Sequence, residues 1–213
     1  MHARRLLTVG LTVASAVAIA LPAIGAQAGS DKNSFRQTNL ESDVPGMAAF
    51  TDPDLRNPWG ISASATSPMW VSDNGAGVTT LYRGNGSKVP LTVTIPPGAG
   101  SSAGTLGTPT GTVFNGNSAE FRGDRFLFAT EDGTIAGWKG VGTLATTEVD
   151  NSVPAPGAVY KGLAIGFDGV ADHLYVANFR FGTVDVFNSD FSQGRHSLTP
   201  KSPQAMRPSM SRP

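Results

Sequence analysis

The sequence predicts an all-β fold built by repeating one four-stranded unit. Three observations carry this expectation. Apolar runs are short, rich in Val, Thr and aromatic residues, and punctuated by Asn-Gly, Asp-Gly and Pro-Gly pairs, with almost no helical periodicity. One order of elements recurs three times along the chain. The glycine that leads each unit falls at Gly60, Gly111 and Gly162, a spacing of 51 both times.

The first segment, "MHARRLLTVGLTVASAVAIALPAIGAQAGS", places Arg4 and Arg5 before an apolar run from Leu6 to Leu21. Pro22 ends the run, and Ala26-Gln27-Ala28 supplies the small-x-small pattern of a cleavage site. Residues 1–28 therefore read as a secretory signal peptide, which implies a secreted or periplasmic location. No later stretch is apolar for long enough to span a bilayer, which takes about 20 residues. The chain has no cysteine, so disulfides and thiolate metal sites are excluded and the fold rests on its packed core.

The first unit is "NPWGISASATSPMWVSDNGAGVTTLYRGNG", Asn57 to Gly86. The second runs from Gly107 to "RFLFATEDGTIAGWKG", ending at Gly140, and the third is "YKGLAIGFDGVADHLYVANFRFGTVDVFN", Tyr160 to Asn188. After the glycine-led strand comes a second strand around Met69-Trp70-Val71, Phe126-Leu127-Phe128 or Leu174-Tyr175-Val176. A polar tip follows, then a third strand that closes on Tyr82, Trp138 or Phe187. The piece "VPLTVTIP", Val89 to Pro96, reads as an outermost strand. Repeats of about 40–50 residues with four strands each are the signature of β-propeller blades, so the closing aromatics are expected between sheets.

Residues 29–191 thus read as a partial β-propeller of about three blades. From Ser192 the composition switches to four basic residues, four prolines and no acids. Residues 192–213 are expected to form a disordered basic tail, or a frameshifted reading that truncates a longer gene. Without the leader, 14 basic residues stand against 16 acidic ones, which argues against a nucleic-acid binder. Half a ring would leave a blade face and strand edges bare, so either self-association or poor stability is expected.

The motifs "TDPDLRNPWGIS", "MWVSDNGAG", "FATEDGTIAGW", "YKGLAIG" and "LYVANFRFGTVDVFN" resemble a group of secreted bacterial proteins related to NHL-type β-propellers. The resemblance covers about Asn39 to Phe191. It implies a six-bladed ring in full-length members, an extracytoplasmic location, and no assigned activity or catalytic residues. Members continue with further blades after the "VDVFN" segment, where this sequence departs from them.

Catalytic signatures are sparse. There is no Gly-x-Ser-x-Gly elbow, and His173 is the one histidine of the body, at the start of a strand, where it reads as a turn residue. The Glu131-Asp132-Gly133 stretch reads first as a hairpin turn, because Asp-Gly accepts positive φ at both turn positions. The polar tips Asp73, Glu131 and Asn178 are the candidate ligand-binding residues of a non-catalytic binding or interaction module, with a protein or polysaccharide partner. The alternative is a calcium-dependent, lactonase-like hydrolase. Its hard oxygen ligands would come from Asp73, Asn74, Glu131, Asp132 and Asn178, with Asn57 and Asn115 as outsiders. No Asp-x-Asp-x-Asp-Gly calcium loop supports it.

Overall fold

The computed structural model describes residues 35–194 and the backbone of Ser197–Leu198. The expected leader, 1–28, and most of the expected tail lie outside the described residues. The chain divides into two units, Met1–Gln37 and Thr38–Pro213. Of the first, only residues 35–37 are described, as exposed chain without regular structure. The second carries all the regular elements found among the described residues.

It begins with a two-residue parallel pair, β1 (Glu41–Ser42) and β2 (Phe50–Thr51). Three antiparallel four-stranded sheets follow, each a meander whose spatial order equals its sequence order. Blade 1 is β3 (Pro58–Ser62), β4 (Met69–Asp73), β5 (Val78–Tyr82) and β6 (Lys88–Thr94). Blade 2 is β7 (Pro109–Phe114), β8 (Phe126–Thr130), β9 (Thr134–Trp138) and β10 (Thr146–Asp150). Blade 3 is β11 (Tyr160–Phe167), β12 (Asp172–Asn178), β13 (Thr183–Phe187) and β14 (Ser197–Leu198). This is a three-bladed stretch of propeller. Its outermost strand, β14, lies inside the segment expected to be tail, because Ser197 and Leu198 pair with Val184 and Thr183.

The strand pairs joined by tight turns follow from local chemistry. Each β-turn between the second and third strands ends on a glycine in the left-handed region: Gly77, Gly133 and Gly182 at φ 69°, 83° and 63°. The Glu131–Gly133 loop is therefore a hairpin tip, closed by the Gly133 amide donating to Thr130 O at 3.1 Å.

Burial between blades holds the sheets together. Trp70, Leu81, Val93 and Ile95 of blade 1 pack on Phe126, Phe128, Ala136 and Trp138 of blade 2. Trp70 stacks on Phe126 with centroids 4.2 Å apart and tilts against Trp138 at 4.8 Å. The second interface buries Leu127, Ala129 and Ile135 against Tyr160, Leu174, Val176 and Phe187. Trp138 and Phe187 thus fill the inter-sheet positions expected of them. Tyr82 is also buried, but under the N-terminal segment, where its hydroxyl donates to Asp52 at 2.6 Å.

The 51-residue glycine period has a steric cause. The first strands β3, β7 and β11 lie side by side, and a Cβ on Gly60 would sit 2.4 Å from Thr110 O. One on Gly111 would sit 2.3 Å from Leu163 N. No side chain fits where one inner strand backs onto the next.

Candidate functional site

At the end where the inner strands begin, Trp59, Thr110 and Lys161 each precede a leading glycine. The strands wall a recess of about 260 Å³ lined by Trp59–Ile61, Thr110–Thr112 and Lys161–Leu163. Across its rim runs a network drawn from all three blades. Glu131, at the blade 2 tip, takes the Lys161 ammonium from blade 3 on one oxygen and the Asn74 amide from blade 1 on the other, at 2.8 Å. Asn74 in turn accepts from Asn57 at 3.2 Å. The Lys161 ammonium also lies 4.7 Å from the Trp59 ring centroid and 5.9 Å from that of Phe179. Burial pushes the Glu131 pKa up, but Lys161 and Asn74 pull harder, and the carboxyl ends below the usual range. Glu131 is thus committed to fastening the blades.

The other sequence candidates fall elsewhere. Asp73 and Asn178 are the last residues of β4 and β12 and are buried, Asn178 on the face turned to blade 2 and Asp73 on the face of blade 1 turned to Asp52 of the N-terminal segment. The Asp73 carboxylate accepts from Thr80 at 2.7 Å, while its Oδ1 is buried without a donor. Burial is the main cause of its pKa rising to about 7, and the Asp52 carboxylate adds to it. Asp132 turns to the loop before blade 2, accepting from the Thr108 amide and hydroxyl at 2.8 Å each. Asn115 is buried and ties its own loop by donating to Asp124 O at 2.8 Å. The His173 ring meets Ala171 O at 3.2 Å and Asp168 at 3.9 Å. Among the described residues, no group of three or more His, Cys, Asp or Glu side chains is placed to hold a metal ion. Of the expected calcium ligands, Asn57, Asn74 and Glu131 meet in the rim network, whereas Asp73, Asp132, Asn178 and Asn115 are engaged at separate places.

Asn178 belongs to a larger site. A pocket of about 580 Å³ opens between blades 2 and 3. The β10–β11 connection supplies one wall with Val153, Pro154 and Pro156, and Phe181 of the β12–β13 turn supplies another. Asp185 on β13 lies at the polar base, only 3% exposed. Its Oδ2 accepts from Asn178 at 2.8 Å and from the Tyr160 hydroxyl at 3.2 Å, and its Oδ1 from Thr183 at 2.8 Å. Asn151 donates to the Tyr160 hydroxyl at 2.8 Å and extends the network to the pocket edge. The size suits a small ligand, and apolar walls over a few fixed polar groups are the usual make-up of such sites.

Sequence reasoning missed Asp185, Lys161 and Trp59. A signal for Asp185 was present: aligning "VTTLY", "TIAGW" and "TVDVF" puts it at the third-strand position of Thr80 and Ala136. A carboxylate at a site buried in the other units marks that position as special.

No protein-family model matches the chain. It is 31% identical over 163 residues to uncharacterized protein R648 of Acanthamoeba polyphaga mimivirus, covering 72% of this chain and 38% of that protein. It is 29% identical over 158 residues to uncharacterized protein L690 of the same virus, covering 69% and 39%. Both relatives are viral, and the chain spans less than two-fifths of their length. Among solved structures, Kuenenia stuttgartiensis hydrazine synthase matches 73% of this chain and 39% of its own, with TM-score 0.49 and 16% identity. A Bacteroides uniformis protein assigned as a 6-phosphogluconolactonase matches 66% and 42%, with TM-score 0.45 and 11% identity. Scores and identities this low carry no argument about activity.

Proposed function

We propose that the chain is an exported, non-catalytic binding module, and that its site is the pocket between blades 2 and 3. The carrying observation is Asp185, a buried carboxylate clamped by the neutral donors Asn178, Tyr160 and Thr183 beneath apolar walls. Such a site complements a small amphipathic ligand with an apolar body and a hydrogen-bonding or cationic head. Desolvation at the pocket base strengthens attraction to a cation relative to water, and Phe181 offers a ring face to the same head group. The chemistry required is recognition. Nothing in this cluster supplies an activated nucleophile, so the reading is of binding and not of turnover.

Export is supported by the leader pattern in residues 1–28, and kinship with NHL-type propellers by the motifs quoted above. Among the described residues, no helix is long and apolar enough to cross a membrane. A protein or polysaccharide partner at the blade tips fits the same reading, with the pocket receiving one projecting group.

Saturation-transfer NMR with benzylamine, benzyl alcohol and benzoate tests the proposal. Benzylamine is expected to show the strongest transfer and benzoate the weakest. Phe181→Ala, which trims an exposed wall, and Asp185→Asn, which removes the charge, should each abolish the preference for the amine. Equal transfer to all three probes, or an amine signal unchanged in both variants, refutes it.

A further inference from the structure

The three leading glycines share a position but not their surroundings. Gly60 and Gly111 are each pressed by the backbone of the next inner strand, whereas a Cβ on Gly162 would meet only Ala177 Cβ of its own blade, at 3.8 Å. Among the described residues, nothing takes on blade 3 the seat that β7 takes on blade 1 and β11 on blade 2. The face around it repeats the buried ones. Tyr175 holds in β12 the place of Trp70 in β4 and Leu127 in β8. It is 38% exposed, against 2% and 0% for the other two. Ala177, Val184 and Val186 share this face with it, as the strand alternation and pairing require.

The chain also carries the matching part. In β3, Trp59 and Ile61 hold the places of Thr110 and Thr112 in β7, whose backbone closes on Gly60. Both threonines are buried, whereas Trp59 and Ile61 are exposed. The N-terminal segment covers the outer half of blade 1 and leaves these two residues bare. Leu40 and Phe50 sit against Gly86 in the β5–β6 turn, and Asp52 meets Tyr82 at the end of β5.

We propose that a second copy of this chain lays its β3 on Gly162 of the first and receives the same contact in return. The contact continues an interface already made twice within the chain, with the same glycine and the same facing strand positions. Two such contacts are related by a twofold axis and close on themselves, so the assembly ends at two copies. Closed propellers use about four to eight blades; two copies give six, whereas three would exceed the range. The axial recess, walled here by β3, β7 and β11, would then be walled on all sides, with Trp59 and Lys161 from both copies at its rim.

Light scattering coupled to size exclusion on the full chain tests this, at concentrations up to about 100 µM. The expected mass is twice that of the denatured chain, with nothing larger. Gly162→Ala places a Cβ in the seat, 3.8 Å from the nearest atom within the protomer, and should weaken association by on the order of tenfold or more. Its far-UV spectrum and cooperative unfolding should be unchanged. Tyr175→Arg on the same face should act likewise, and keeps the test decisive where the first variant does not fold. A single-chain mass for the wild type, an unbroken ladder of larger species, or dimers equally strong in both variants would overturn the proposal.

Discussion

Replacing Asp73 with asparagine tests the physical reading of the blade interiors. The carboxylate is fully buried, has one donor in Thr80, and leaves its second oxygen without any. Its pKa rises from 3.8 to about 7, chiefly through burial. The folded protein therefore holds a proton that the unfolded chain releases near its ordinary pKa. Stability from this group is complete in acid and is lost as the pH climbs through the interval between the two values. A shift of about three units corresponds to roughly 4 kcal/mol, of which about 2–4 kcal/mol is a reasonable expectation after relaxation around the site. Asparagine keeps the acceptor for Thr80 and removes the titration. The variant should match the wild type at about pH 4 and exceed it by about 2–4 kcal/mol at about pH 8. Urea unfolding across that range, read by tryptophan fluorescence, gives the difference directly. Carboxyls other than Asp52, which is coupled to Asp73, titrate alike in both proteins and cancel. A difference that is flat with pH, or an asparagine variant weaker than the wild type at the alkaline end, would refute the argument.

Trp138→Ala should cost about 3–5 kcal/mol in the same urea assay, as a large deletion at the blade 1–blade 2 interface. Gly111→Ala should cost about 1–3 kcal/mol by forcing β7 and β11 apart. Gly84→Ala, which meets nothing within 4 Å, should stay within about 0.5 kcal/mol, and equal losses in both would contradict the steric account. Calcium at about 5 mM, enough to fill a weak extracellular-type site, should leave the melting temperature unchanged. A clear rise would return Glu131 and Asp132 to consideration as ligands.

The sequence made the second and third strands of every blade legible, because apolar alternation and glycine-closed turns are local signals. It also showed the 51-residue glycine period, although the cause, backbone lying against backbone, belongs to neighbouring sheets and has no local signature. Asp73 and Asn178 were read as polar blade tips from their place in the repeats, and both are buried. What places them inside is a partner across the hairpin, Thr80 for one and Asp185 for the other, and that pairing is seven residues away in both cases. Glu131 lies in the turn after β8, and its role depends on Lys161 and Asn74, which arrive from other blades. The pocket was hidden for the same reason: its Pro-rich wall reads as linker until blade 3 closes behind it.

That one wall of the pocket is the β10–β11 connection and the other is blade 3 has a thermodynamic consequence. A ligand held there touches the β10–β11 connection and blade 3 together, so it has full affinity only for the state in which that connection lies on the blade. Occupancy and docking become one linked equilibrium. At a ligand concentration about a hundred times Kd, the linkage adds roughly 2.7 kcal/mol to the docked state. Seen this way, the cavity is a clamp whose closing agent comes from outside the chain, and the chain's firmness reports how much of that agent its surroundings hold.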